Sequence, residues 1–263
     1  MTKKDIDKYL DMYYRLTGKE RREVDKDLFE TLEEVFDRAT ILAVLELVRK
    51  GILYELKGVV SAGKEARVYW GINTRGEDLA VKIYLTSTSE FRKGLIKYIR
   101  GDPRFEGNIP RSTRKLMMLW ARKEFRNYKL MYEANVSVPK PIAQHENILV
   151  MEFIGEKGVR APLLKEVFLD YDEYEQLFWN LLEDVKKMYT KAELVHGDLS
   201  EYNVMIWRDK YYIIDVSQAV KISHPNALNF LRRDLGNLYR YFVKELGIRG
   251  LPDVDEMFKY VTS

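Results

Sequence analysis

The stretch LVHGDLSEYNVMIWRDKYYIID, residues 194–215, decides how this chain is read. Asn203 follows Asp198 by five positions, and Asp215 follows Asn203 by twelve. The apolar runs NVMIW and YYIID flank Arg208-Asp209-Lys210, which predicts two short strands joined by a tight turn. Such a hairpin sets Asn203 beside Asp215 at one sheet edge. An amide oxygen and a carboxylate placed there suit Mg²⁺, a hard ion that prefers oxygen ligands. Asp198 then stands one loop away, where an attacking hydroxyl would approach. Taken singly, Asp198 also reads as a turn residue and Asp215 as a strand end. Taken together, at this spacing, they read as a site.

Upstream, YELKGVV (54–60), ARVYWGI (66–72) and DLAVKIYL (78–85) are rich in β-branched and aromatic residues and are separated by glycine-bearing turns, which predicts three antiparallel strands. Lys82 lies inside the third, between apolar neighbours, and a lysine so placed needs an anion. Nucleotide phosphates would serve; the plain alternative is an edge lysine reaching water. Residues 86–111 show no clear period and carry many Lys and Arg, which predicts a partly mobile loop. Residues 112–134 predict a long helix, with Leu116, Leu119, Trp120, Phe125, Tyr128 and Met131 on its apolar side. That helix carries Glu124, an acid suited to pairing with Lys82, and a rival, Glu133.

NILVMEFI (147–154) predicts a buried strand, residues 171–190 an amphipathic helix, and residues 225–246 and 253–261 closing helices. Residues 3–50 predict two or three short helices, ended by Gly51. Strands come first and helices later, which is an α+β plan with a sheet-rich half and a helix-rich half.

One motif is a near miss. Gly58 to Glu65, GVVSAGKE, almost spells the phosphate loop G-x-x-x-x-G-K-[ST]. Glu65 replaces the hydroxyl residue, and a strand rather than a helix follows, so a P-loop NTPase is excluded. A Ser61-Ala62-Gly63 turn still offers backbone N–H groups to phosphate.

Composition bounds the rest. The chain has 263 residues, 44 Lys plus Arg against 41 Asp plus Glu, and a formal charge of +3. That balance excludes a polybasic nucleic-acid binder held by bulk charge. With 46% hydrophobic residues the chain supports a large core, and with no cysteine it has no disulfide, thiolate metal site or cysteine nucleophile. The longest apolar run, Ile41 to Val48, is interrupted by Glu46, and the charged N-terminus gives no secretory signal. The expectation is a cytoplasmic protein with no membrane association.

These pieces, in this order, resemble the protein-kinase-like fold. Their spelling resembles the RIO family of atypical serine/threonine protein kinases, and within it the first, type-one branch in its compact archaeal-like form. The stretches that carry the resemblance are GVVSAGKEARVYWG, LAVKIY, WARKEFRNYKLM, VSVPKPI, VMEFIG, ELVHGDLSEYNVM and IIDVSQAV.

The resemblance implies a two-lobed fold, with an N-terminal helical module over 1–52, a sheet-rich lobe over 53–154 and a helical lobe over 155–263. It also implies roles. Ser61, Ala62, Gly63 and Lys64 would cover the phosphates of ATP, and Lys82 would contact phosphate and pair with Glu124. The backbone of Glu152 and Ile154 would bind adenine. Asp198 would be the catalytic acid, and Asn203 and Asp215 would hold Mg²⁺, with Mn²⁺ as an alternative ion. Asp215 is also a candidate aspartyl-phosphate site.

The basic segment 86–112, with Ser87, Thr88, Ser89 and Ser112, would be a site of self-phosphorylation. The partners implied are a protein substrate or the chain itself, and the pre-ribosomal small subunit, whose maturation ATP hydrolysis would serve as a switch.

Departures from ordinary protein kinases are equally plain. Gly197 stands where most carry Arg, Val216-Ser217 follows Asp215 in place of Phe-Gly, and no Ala-Pro-Glu follows. Two rivals stay open. One is a small-molecule kinase of the aminoglycoside or choline type, which shares the HGDxxxxN loop and would turn over a small hydroxyl substrate quickly. The other is a non-catalytic ATP-binding assembly factor, which would release no phosphate.

Overall fold

The computed structural model describes residues 11, 15, 37–85, 89–105, 107 and 109–263. The helices expected before residue 37 therefore lie outside the described residues. The chain groups into two compact units. The first holds the described residues up to Leu85 with Ser112–Arg122 and Ile142–Val159; the second holds the segment up to Arg111 with Lys123–Pro141 and Arg160–Ser263.

The first unit is built on a five-stranded sheet in the order β1-β2-β3-β5-β4, with β1 Glu55–Ala62, β2 Ala66–Ile72, β3 Asp78–Tyr84, β4 Pro141–His145 and β5 Ile148–Glu152. The three expected strands pair antiparallel, and β3 also pairs antiparallel with β5. Strand β4 is an addition that the sequence pattern does not reveal.

Side chains alternate between faces along a strand. Leu79, Val81 and Ile83 enter one core with Ile148 and Val150 and with Ile41, Val44, Leu45 and Val48 of helix α1, Arg38–Arg49. Lys82 is out of phase with that set. Helix α1 starts at Asp37, whose carboxylate accepts from the Thr40 amide at 2.8 Å, and it ends before Gly51, whose φ of +70° suits the left-handed turn that stops a helix. A short hairpin, β6 Gly155–Glu156 with β7 Val159–Arg160, follows β5.

Helices dominate the second unit. The expected partly mobile loop over 86–111 is corrected here: helix α2 spans Ser89–Ile99, and a short 3-10 turn spans Pro103–Phe105. Leu95, Tyr98 and Ile99 fall on one helical face and are buried. Tyr98 meets the Phe230 ring at 5.3 Å between centroids, and the Arg100 carbonyl lies 2.9 Å from His224 Nε2. These long-range partners hold a segment whose local pattern is too basic to read as helix.

Helix α3, Thr113–Glu133, begins in the first unit and ends in the second. Its buried stripe also differs from expectation. Leu119 and Phe125 are half-buried, whereas the polar residues Lys123, Glu124 and Asn127 are buried beside Trp120, Tyr128 and Met131.

Helix α4, Tyr171–Thr190, matches its expected bounds, and Asp170 and Glu173 form a reciprocal capping box at its start. Two-residue strands β8, Leu194–Val195, and β11, Val220–Lys221, pair around the hairpin β9, Val204–Trp207, with β10, Lys210–Ile213. Helices α5, Ala227–Tyr239, and α6, Val254–Thr262, close the unit, with a π-helical turn at Arg240–Glu245 between them. Among the described residues no helix is long and apolar enough to cross a membrane.

Candidate active site

The hairpin forms as its sequence predicts. Val204 pairs with Ile213 and Trp207 with Lys210, and Arg208 takes a φ of +55° at the turn. One step beyond the last pair, the Ile214 amide donates to the Asn203 carbonyl at 2.9 Å, which sets Asn203 next to the residue before Asp215. The Asn203 side chain donates through Nδ2 to the Asp198 carbonyl at 2.7 Å. Its nitrogen is thereby spent on the loop, and its oxygen is the atom fit to ligate. Asp198, Asn203 and Asp215 thus gather in the second unit.

The loop that carries Asp198 is fixed from below. Gly197 adopts a φ of +78°, and a side chain there would place Cβ 3.3 Å from the Gln218 carbonyl. Glycine therefore answers a backbone demand where ordinary kinases place Arg. The Gly197 and Leu199 amides donate to the two oxygens of Asp234 at 2.7 and 3.0 Å, Asn237 Nδ2 donates to the Leu199 carbonyl at 2.9 Å, and Arg233 donates to the Gly197 carbonyl. Burial pushes the Asp234 carboxyl up to about 7 while those two amide bonds pull it down.

His196 is buried too. Its Nδ1 accepts from the Asp198 amide at 3.2 Å, and its Nε2 lies 3.3 Å from the Ile214 carbonyl. Burial lowers its pKa to about 4, so the ring is a neutral strut between the loop and the hairpin, with its proton on Nε2. Arg240 donates through its single nitrogen Nη2 to both oxygens of Glu201, also buried, at 2.9 and 2.8 Å.

Asp198 itself accepts from Gln218 Nε2 at 3.0 Å. Its carboxyl is held above the usual range by burial and then by the nearby charge of Asp215, against pulls from Arg233, Lys97 and Asn203. A carboxylate whose charge raises its neighbour's proton affinity marks a place where a cation is welcome. Asp215 adopts φ +55° and ψ +59°, receives a hydrogen bond from Ser217 Oγ at 2.9 Å, and donates its amide to the Tyr128 oxygen at 3.0 Å.

Among the described residues no three His, Cys, Asp or Glu side chains form a metal cluster. The donor set of one carboxylate and one amide oxygen fits Mg²⁺, which binds few protein ligands and completes its shell with phosphate and water.

The other expected residues fall elsewhere. Lys82 sits in β3 opposite Val68 and Leu149, is 9% exposed, and its Nζ lies 5.2 Å from the Tyr84 ring centroid. Ser61, Ala62, Gly63 and Lys64 are exposed. Strand β1 continues to Ala62, so the turn is confined to Gly63–Glu65 and is closed by the Gly63 amide on the Ala66 carbonyl at 3.0 Å. Glu152 ends β5 opposite Leu79, with Phe153 and Ile154 buried after it. All of these belong to the first unit. Glu124 is fully buried on the part of α3 that belongs to the second, whereas Glu133 is exposed.

A further set carries no functional expectation from the sequence: Lys123 and Asn127 on α3, with Tyr128 expected there only as core, Asp102 and Arg104 after α2, and Gln218, Arg233 and Asp234. The available signal was the presence of Lys123 and Asn127 at stripe positions of an otherwise apolar helix face. Lys123 is wholly buried, and burial, with Arg104 adding to it, lowers its pKa to about 7 against the opposing charges of Asp102 and Glu124.

Comparison with known proteins places this arrangement. A family model described as "RIO domain" matches residues 67–256. The chain is 41% identical over 231 residues to a Caenorhabditis elegans protein named serine/threonine-protein kinase RIO1, covering 88% of this chain and 45% of that one. It is 38% identical over 258 residues to the RIO-type serine/threonine-protein kinase Rio1 of Methanocaldococcus jannaschii, covering 96% of this chain and 84% of that one. It therefore spans less than half the length of the nematode relative and most of the archaeal one.

Among solved structures it is similar to the Rio2 kinase–ADP/Mg²⁺–phosphoaspartate complex from Chaetomium thermophilum, with a TM-score of 0.68 at 22% identity over 100% of this chain and 87% of that one. That likeness bears out the kinase-like α+β fold. Sequence kinship at this level, over nearly the whole chain, leaves one conclusion: the chain belongs to the RIO family, in its type-one branch.

Proposed function

We propose that the chain is an atypical serine/threonine protein kinase that catalyses ATP-dependent phosphoryl transfer, and that hydrolysis of ATP is a principal outcome. One observation carries the reading. Asp198, Asn203 and Asp215 are gathered by the hairpin and the loop below it, while helix α5 starts at Ala227, only twelve positions after Asp215. That interval has no room for the long segment on which ordinary kinases dock a peptide, so water competes well with a protein hydroxyl.

Roles follow from the chemistry of each group. Asn203 and Asp215 hold Mg²⁺, which supplies charge neutralisation on the phosphates. Lys82 takes the phosphates of ATP, and Ser61 to Lys64 cover the phosphates with backbone N–H groups. The backbone at Glu152 and Ile154 receives adenine.

Asp198 accepts the proton of the incoming hydroxyl, and its raised proton affinity suits that task. Asp215 is also a candidate acceptor: its carboxylate oxygen bonds to the γ-phosphorus as ADP leaves, and water later releases phosphate. The similar Rio2 structure is a complex with ADP, Mg²⁺ and phosphoaspartate, which favours this second path. The setting we propose is maturation of the small ribosomal subunit in the cytoplasm, with hydrolysis as a release switch.

A single incubation with γ-labelled ATP and Mg²⁺, with and without small ribosomal subunits, tests the reading. Free phosphate in excess of labelled protein, at a rate the particles change, supports the switch. Stable label on a Ser or Thr of a partner favours a protein kinase in the ordinary sense. Rapid label on a small hydroxyl compound, or no release at all, overturns the reading.

A further inference from the structure

The turn after Asp215 is short and poorly self-supported. Val216–Gln218 form a three-residue 3-10 turn, entered through a left-handed residue that is not glycine. Helix α3 supplies what holds it. Asn127 Nδ2 donates to the Val216 carbonyl at 2.8 Å and to the Ala219 carbonyl at 3.1 Å. Lys123 Nζ donates to the Ser217 carbonyl at 2.9 Å and also to the Ala219 carbonyl. The two side chains are one helical turn apart, so they point the same way, and both are fully buried. Three carbonyls in four residues are thus gripped by two side chains, and Tyr128, next on the helix, receives the Asp215 amide.

An asparagine amide can turn over, exchanging oxygen and nitrogen. Here one orientation is imposed. Arg104 donates to Asn127 Oδ1 at 2.7 Å, and the rest of its guanidinium is fixed by buried Asp102 at 2.9 and 2.6 Å. Turned over, Asn127 would set its NH₂ against the guanidinium and its oxygen against two carbonyls.

We infer that Lys123 and Asn127 are positioning residues for Asp215, and that Arg104, by fixing the Asn127 amide, lets the segment after α2 set how tightly Mg²⁺–nucleotide is held. The inference rests on the phosphoryl-transfer reading above. It makes α3 the bearer of two duties, Glu124 and the grip on the metal aspartate's turn. It also makes the basic segment 89–111 a place from which binding is tuned.

The test is calorimetric titration of the full chain with ADP, first in chelator and then at graded Mg²⁺. Asn127→Asp keeps shape and the Arg104 partner but loses both donors. It should cut the gain in affinity that Mg²⁺ confers by about tenfold or more, the usual effect of losing a group that orients a metal ligand. Arg104→Gln should cut it by roughly threefold to tenfold. Affinity in chelator should stay within about twofold in both, which a residue that merely props up the fold would not ensure.

Should Asn127→Asp fail to fold, Arg104→Gln, on a partly exposed side chain, decides alone. A Mg²⁺ gain unchanged in the folded variants overturns the grip and leaves the parent reading standing. No Mg²⁺ gain in the wild-type chain overturns both.

Discussion

In the first unit Lys82 is placed by the sheet it belongs to; in the second, Asp215 is placed by side chains that reach it from a helix. Lys82 lies within a β3 register that runs from Leu79 to Ile83, flanked by β2 and β5. Its neighbours are apolar, so packing and the period of two aim it. The Asp215 turn buries Val216 and Ala219, but Lys123, Asn127 and Tyr128 hold its backbone by hydrogen bonds. Packing is tolerant of exchange at similar volume, whereas a polar grip depends on each donor. Altering the packing that frames Lys82 should therefore cost stability, whereas altering the donors that hold the Asp215 turn should cost function at nearly constant stability.

The largest effect expected is on the sheet. Ile83 is fully buried, and Ile83→Ala should cost about 2–5 kcal/mol in denaturant unfolding. A smaller loss would mean that the register does not carry the first unit. Next comes Lys82→Met, which keeps volume and should leave stability within about 1.5 kcal/mol while slowing ATP turnover by roughly 10²- to 10³-fold. A large stability loss there would show that the charge, and not its stem, belongs to the fold.

Gly197→Ala should cost about 1–2 kcal/mol, because an L side chain is strained at φ +78°. It should also slow turnover by about tenfold or more by pushing the Gln218 carbonyl and disturbing Asp198. Unchanged turnover would separate loop strain from catalysis.

The smallest effect at neutral pH concerns His196. Its pKa falls from 6.5 to about 4 on folding, so the unfolded chain binds more protons between those values. The stability it permits is intact above pH 6.5 and is lost as pH falls toward 4. NMR titration should find this ring neutral at pH 5; a ring that titrates near 6.5 would contradict its role as a buried strut.

Much of the fold was open to reading because its elements declare themselves locally. Helix α4 repeats Leu177, Phe178, Leu181, Leu182 and Val185 with its cap at Asp170, and the β9–β10 hairpin joins two apolar runs around a polar turn. The hairpin's spacing by itself puts Asn203 and Asp215 at one edge.

Helix α2 is harder to read because charged residues crowd the segment and what holds it, Phe230 against Tyr98 and His224 against the Arg100 carbonyl, lies far along the chain. The grip on Asp215 escaped for the same reason. Arg104 and Asn127 are 23 positions apart, and Lys123 and Ser217 are 94 apart. Hydrogen bonds between distant polar residues have no period, and a lysine on a helix reads as surface until its burial is known.

The central claim divides labour between two carboxylates: Asp215 holds Mg²⁺–nucleotide, and Asp198 serves the transfer. Binding of ATP in the presence of Mg²⁺ and release of phosphate, measured side by side for Asp198→Ala and Asp215→Ala, test it most directly. Asp198→Ala should keep Mg²⁺-dependent binding and lose turnover by about 10²- to 10⁴-fold, and Asp215→Ala should lose the Mg²⁺-dependent binding itself. Equal loss of binding in both variants, or full turnover in Asp198→Ala, would contradict the account.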